Sequence, residues 1–128
     1  MKLLLDTHAF IWWAIRKERL SPTAIGLCED GSNDLFLSIV SLWEMQLKIQ
    51  LGKLRFNLPL NALIEAQQQI NGIQLLAIES QHIYGLSQLP FHHKDPFDRL
   101  LVAQAVVENV PLISADPTLS AYPAQIVW

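Results

Sequence analysis

Four carboxylates stand where a parallel sheet would gather them: Asp6, Glu44, Asp98 and Asp116. Asp6 directly follows the apolar run Leu3-Leu4-Leu5, and Glu44 falls in the first turn of the helix expected after Leu35-Phe36-Leu37-Ser38. Asp98 lies in the first turn of an apolar helix opened by Asp95-Pro96, and Asp116 comes two residues beyond the run Pro111-Leu112-Ile113-Ser114. Brought together, such groups repel: two carboxylates ~4 Å apart cost about 4 kcal/mol at an effective dielectric of 20. A cluster of them takes up protons or binds a cation. Carboxylate oxygens supplemented by water suit Mg²⁺ or Mn²⁺. Zinc fits less well, because Cys28 is the only cysteine and no histidine pair has helical ligand spacing. The adjacent His92 and His93 fall in a loop and read as solvated.

Each acid also has a purely structural reading. Asp6 can cap the first helix. Glu44 completes Ser41-x-x-Glu44, a capping-box spacing, and stands one turn before Lys48. Asp98 suits the positive end of its helix, with Asp95 at capping-box spacing, and Asp116-Pro117 is an ordinary turn pair. Capping accounts for each acid singly but leaves their joint placement on one rim unexplained.

The elements that must position them alternate short apolar runs with helical stretches. The first strand, Leu3 to Leu5, precedes a helix over His8–Arg16 with Thr7 as its cap, and Ser21-Pro22 starts a second helix running to Glu29. Asp30-Gly31-Ser32-Asn33 is a turn before the second strand, Leu35 to Ser38. Ser41 caps a third helix to Leu51, which Gly52 ends, and Pro59 opens a fourth to Ile70, closed by Asn71-Gly72. A third strand spans Ile73–Ile78, and a short helix spans Ser80–Leu86. A loop over residues 89 to 94 leads into the helix of residues 95 to 107, where Leu101, Val102 and Ala105 share a face with Asp98. The fourth strand follows, and Ile126-Val127-Trp128 forms an edge strand. Such alternation specifies an α/β fold with a central, mostly parallel sheet covered on both faces, and ligand sites beyond the strands' carboxyl ends. Trp12, Trp13 and Trp43 read as core.

The totals are consistent with one domain over residues 1 to 128, half hydrophobic and only 16% charged. A net charge of -3 argues against gripping nucleic acid by charge alone, so any such contact must be local or mediated by metal. A single cysteine provides no disulfide framework, which favours a reducing compartment. Asp6 and His8 interrupt the apolar start, which therefore fails as a secretory signal, and no apolar run approaches the ~20 residues of a membrane span. The expectation is a cytoplasmic protein.

Leu3-Leu4-Leu5-Asp6-Thr7-His8, Ser41-Leu42-Trp43-Glu44, the stretch from His93-Lys94-Asp95-Pro96-Phe97-Asp98 to Ala105, and Ser114-Ala115-Asp116 together resemble the acidic motifs of PIN domains. They are most similar to the VapC-type toxins of bacterial toxin–antitoxin pairs. The likeness runs over essentially the whole chain, and residues 93 to 105 are its specific part. It implies a three-layer α/β/α PIN fold, a Mg²⁺- or Mn²⁺-dependent endoribonuclease, inhibition by a VapB-type antitoxin, and homodimers. Carried over by motif, the catalytic metal ligands are Asp6, Glu44, Asp98 and Asp116, with Asp95 left as a cap or an outer partner. Thr7 and Ser114 match small hydroxyl positions beside the first and last acids, where plain capping is the alternative.

The mechanism this implies is hydrolysis by a metal-activated water that attacks the scissile phosphate in line, with the 3′ oxygen leaving. Lys48, Lys53, Arg55, Lys94 and Arg99 are the candidate basic contacts to RNA around the rim. The surplus apolar surface of the first helix is assigned to a dimer or antitoxin interface. Two alternatives compete. A phosphoacceptor receiver would need an acidic pair after the first strand and a lysine after a late one; here Asp6 stands alone, and no lysine follows Ile113. A non-catalytic module of the same fold would be favoured by loss of an acid, and none of the four is missing.

Overall fold

The computed structural model describes all 128 residues. Five parallel strands form one sheet in the order β3-β2-β1-β4-β5. They are β1 (Lys2–Leu5), β2 (Asp34–Ser38), β3 (Gln74–Leu76), β4 (Leu112–Ile113) and β5 (Ile126–Val127). The helices are α1 (Thr7–Ile15), α2 (Pro22–Glu29), α3 (Ile39–Gln50), α4 (Leu60–Asn71), α5 (Ser80–Gly85) and α6 (Pro96–Glu108), with short 3-10 turns at Lys17–Arg19, Leu86–Gln88 and Pro117–Ala121.

Strand alternation explains the two cores. Leu3, Leu5, Leu35, Leu37 and Ile113 point to one face, where Phe10 and Trp13 of α1, Ala24 of α2, Met45 of α3 and Ile64 of α4 cover them. Leu4 and Leu112 point to the other face, under Val40 and the apolar run of α6 from Leu100 to Ala105. Both faces are covered, which is why the central strands read as continuous apolar runs. β1 is the middle strand, in register Leu4↔Phe36 with β2 and Leu4↔Leu112 with β4. All strands are parallel, so their carboxyl ends share one rim.

Helix starts crowd that rim and differ in detail from the sequence reading. Asp6, not Thr7, is the N-cap of α1, its Oδ1 accepting from the Ala9 amide at 2.7 Å. Ser38 both ends β2 and caps α3, which begins at Ile39 with no loop between, so Ser41 lies inside the helix and forms no capping box with Glu44. The physical reason is local: the Ser38 hydroxyl accepts from the Val40 amide at 3.0 Å, and the chain turns into the helix three residues early. Asp95 caps α6 as expected, accepting from the amides of Phe97 at 2.8 Å and Asp98 at 3.3 Å, with Pro96 in the first helical position.

At the far end of α6, Asn109 is the single non-glycine residue with positive φ, at 54°, and it closes the helix in the left-handed conformation. Replacing Asn109 with Val is expected to lower unfolding stability by about 1–2 kcal/mol, the cost of a left-handed Cβ-branched residue, whereas Asn109→Gly should be nearly neutral. Urea denaturation of both variants tests the pair.

Candidate metal centre

The carboxyl-end rim gathers acids from separate parts of the chain. Asp6 follows β1 and is buried, with 5% of its surface exposed. Burial raises its pKa, while the Ser114 hydroxyl and the Ala9 amide work against that rise. Glu44, in the middle of α3, is also buried. Its Oε1 accepts from Thr7 Oγ1 at 2.7 Å, and its Oε2 pairs with Lys48 Nζ at 2.6 Å. Ser41 Oγ is the second partner of the Thr7 hydroxyl, at 2.9 Å. So Thr7, in the first turn of α1, acts across two helices to fix a carboxylate.

Asp98 lies half-buried in the first turn of α6. Its pKa is pushed up to about 7, first by burial and then by the neighbouring charges of Asp95 and Glu44, with Asp6 adding to the effect and His93 opposing it. Asp116 begins the 3-10 turn after β4 and caps it, Oδ1 accepting from the Thr118 amide at 2.9 Å. Burial alone would raise its pKa, but hydrogen bonds from Thr118 and His93 outweigh that and hold it below the usual carboxylate range. His93 Nε2 stands 3.0 Å from Asp116 Oδ2 and 3.3 Å from Asp98 Oδ2. One ligand atom from each of these residues fits within 4.8 Å of the others, a spacing that could hold a metal ion.

The sign of the Asp98 shift gives a measurable consequence. The unfolded chain releases this proton near 4 and the folded chain holds it to about 7, so between those values the folded state binds more protons. Stability in chelator is therefore expected to fall as pH rises from 4 to 7. Thermal melts of wild type and Asp98→Asn check this: the variant should lose much of that slope.

Four expectations need correction. His93 is not a solvated loop residue; it sits between two acids, while His92 packs edge-on to Tyr122 at 5.3 Å between ring centroids. Trp43 is exposed, packing edge-on against Phe97, and Trp12 is half-buried, so of the tryptophans assigned to the core only Trp13 is buried. Arg99 is buried and cannot serve as a rim contact to RNA. Its Nη1 donates to the Pro90 carbonyl at 2.8 Å and to Tyr122 Oη at 3.3 Å, while Nη2 reaches the carbonyls of Leu89 at 3.3 Å and Leu86 at 3.5 Å. Lys48 is committed to Glu44. Lys53, Arg55 and Lys94 remain exposed.

The largest groove, about 790 Å³, lies elsewhere, between the end of α3 and the 54–61 segment, and carries no acidic side chain. That groove is separate from the acidic rim. A model of the PIN domain family matches residues 3–125, nearly the whole chain. The chain belongs to the PIN domain family. This PIN domain is 25% identical over 121 residues to ribonuclease VapC22 of Mycobacterium tuberculosis, covering 94% of this chain and 91% of that protein. Its fold is similar to that in the structure of VapBC2 from Rickettsia felis bound to a DNA fragment from its promoter, with a TM-score of 0.73 and 13% identity over 99% of this chain and 98% of that one. DNA-bound VapBC from Salmonella typhimurium is also similar, with a TM-score of 0.68 and 14% identity over 99% of this chain and 97% of that one. At those identities the structural likeness speaks for the PIN fold alone.

Within this PIN domain, Asp98 and Asp116 fall in one close group with His93, which Asp6 and Glu44 do not join; Asp6 lines a cavity with Asp116, and Glu44 is tied to Thr7, the residue after Asp6. His93 is the residue that sequence reasoning missed. The available signal was its place two residues before the Asp95 cap, which puts it at the mouth of a helix start on the rim.

Proposed function

We propose that this PIN domain is a Mg²⁺- or Mn²⁺-dependent endoribonuclease, the toxin of a type II toxin–antitoxin pair, working in the cytoplasm. The observation that carries the reading is the convergence on Asp98: a carboxylate whose proton is held to about 7 by burial and by neighbouring acids. So much negative charge in one nest suits a hard dication better than any organic ligand. The donor set fits, with Asp98 and Asp116 as the nearest pair of ligands and Asp6 and Glu44 completing the acidic wall. A bound divalent ion supplies a water acidic enough to attack a phosphodiester near neutral pH and offsets the charge of the phosphate. The chain's own residues orient the ligands. Thr7 holds Glu44, and Ser114 acts on Asp6. Exposed Lys94, in the same loop as His93, is our candidate contact to the RNA backbone, with exposed Lys53 and Arg55, beyond the C-terminal end of α3, as further candidates.

Partner binding follows from the same family likeness. The similar solved structures include VapBC complexes, which supports a VapB-type antitoxin as the partner. Exposed Ile15 and half-buried Ile11, Trp12 and Ala14 on α1, together with the groove beside Phe56, offer apolar surface for it. Exposed Trp43 and Leu47 on α3, with Leu51 at its C-terminal cap, offer a surface for a homodimer. No helix is long and apolar enough to cross a membrane.

The test is cleavage of a mixed RNA pool by the purified chain with Mg²⁺, with Mn²⁺ and with chelator. Products carrying a 5′ phosphate only when metal is supplied are expected. Equal cleavage in chelator, or none in either metal by folded protein, would overturn the reading.

A further inference from the structure

We propose that His93 serves the acidic centre as a hydrogen-bond donor that positions Asp116 beside Asp98, and not as a ligand to the metal. The inference rests on the metal-dependent reading above and gives a role to a side chain within that site. Two contacts fix the ring's proton. On one side the Asp95 amide donates to His93 Nδ1 at 3.0 Å. An N–H aimed at Nδ1 needs a lone pair there, so the neutral ring carries its proton on Nε2. That Nε2–H bonds Asp116 Oδ2 at 3.0 Å, and Asp98 Oδ2 lies 3.3 Å from the same nitrogen.

Ligation through Nε2 would require moving the proton to Nδ1, where it would meet the Asp95 N–H head-on. The surroundings resist turning the ring away. The His93 amide donates to Tyr122 Oη at 2.8 Å, and Tyr122 Oη in turn accepts from buried Arg99. The Arg99 guanidinium also grips the carbonyls of Leu89 and Pro90 in the same loop.

What the donor does follows from where the two carboxylates beside it come from. Asp98 belongs to α6, and Asp116 to the turn after β4. No backbone element joins them, and as like charges they repel. The N–H is bonded to Asp116, and the same nitrogen stands 3.3 Å from Asp98 Oδ2, so the ring sits between the two carboxylates and fixes Asp116 beside Asp98. In many metal sites a carboxylate lies behind a ligating histidine and orients it. Here the order is inverted, with the histidine behind the carboxylates. His93 is thus a positioning residue.

The probe is Mn²⁺, titrated calorimetrically into the whole chain as wild type, His93→Gln and His93→Leu, with folding of each checked by circular dichroism. Glutamine keeps an N–H donor near the Nε2 position and leucine removes it. Affinity is expected to stay within about threefold for His93→Gln and to weaken roughly 10- to 100-fold for His93→Leu, the range seen when an outer partner of a metal ligand is lost. Equal binding by His93→Leu and wild type, or equal loss in both variants, would overturn the proposal. Pulsed EPR of Mn²⁺-loaded wild type is expected to show no directly coordinated nitrogen; a strong ¹⁴N coupling abolished in His93→Gln would overturn it. ¹⁵N NMR of the histidine rings gives a measurement independent of the variants' folding: His93 should be the Nε2–H form, and an Nδ1–H form refutes the assignment. Failure of folded wild type to take up Mn²⁺ at all would instead overturn the metal reading and this inference with it. Uptake with nitrogen coordination overturns the inference alone.

Discussion

Asp98→Asn should abolish most RNA cleavage, by about a thousandfold or more, and at the same time raise the melting temperature in chelator. The two effects have one cause. Asp98 is held among Asp95, Glu44 and Asp6, and burial with their charge lifts its pKa to about 7. An amide of the same shape removes the repulsion, so the folded state gains. The same change removes an anionic oxygen from the centre, and a lost metal contact in a hydrolytic site costs several kcal/mol of transition-state stabilisation. A gain in stability paired with loss of activity is the mark of a residue kept for chemistry at the fold's expense. Capping alone predicts otherwise. The cap of α6 is Asp95, which accepts from the amides of Phe97 and Asp98, and it is untouched by the substitution. Cleavage assays and melts on one preparation of Asp98→Asn give both readouts. Cleavage at the parent rate by a folded variant would remove Asp98 from the site.

Arg99→Met is expected to destabilise the chain by about 3 kcal/mol, although it removes no carboxylate partner and little apolar contact. The guanidinium satisfies the carbonyls of Leu86, Leu89 and Pro90 and the Tyr122 hydroxyl, and it lies 4.1 Å from the centroid of the Phe91 ring. Hydrogen bonds to a charged donor contribute about 1.5–3 kcal/mol each, and methionine leaves buried acceptors without a partner. Because these bonds stake the loop that carries His93, protection of the loop amides against hydrogen exchange should fall with the stability. Urea denaturation decides the matter. A loss under about 1 kcal/mol, typical of an exposed ion pair, would show that the loop holds itself.

Much of the architecture was written in local pattern. Leu3-Leu4-Leu5 and Leu35-Phe36-Leu37 are apolar on both faces because helices cover both, and that pattern is enough to specify a parallel sheet. Proline after a capping side chain marked α2 and α6 nearly to the residue. The positions of Asp6 and Asp116 were legible because parallel strands must deliver their ends to one rim, whereas Glu44, expected in a first turn, lies in the middle of α3. What was hidden depends on long-range contacts. Arg99 carries a charge that reads as surface, and only the carbonyls of a loop folded back over α6 make it a buried residue. Trp43 looks like core by its type, but it lies beside Glu44 on α3, and burying the acid turns the indole outward. Ser38 belongs to a strand and a cap at once, a double duty that spacing alone cannot resolve.

The order of strands sets when this chemistry can first exist. β1 lies between β2 and β4, so the second residue of the chain and the hundred-and-twelfth belong to elements that flank one another. Asp6 leaves the ribosome early and Asp116 late, and the sheet has no place for the latter until α6 has crossed over and β4 has docked. A nascent chain stopped short of β4 thus has Asp6, Glu44 and Asp98 but no Asp116, and its rim is complete only after the crossover through α6.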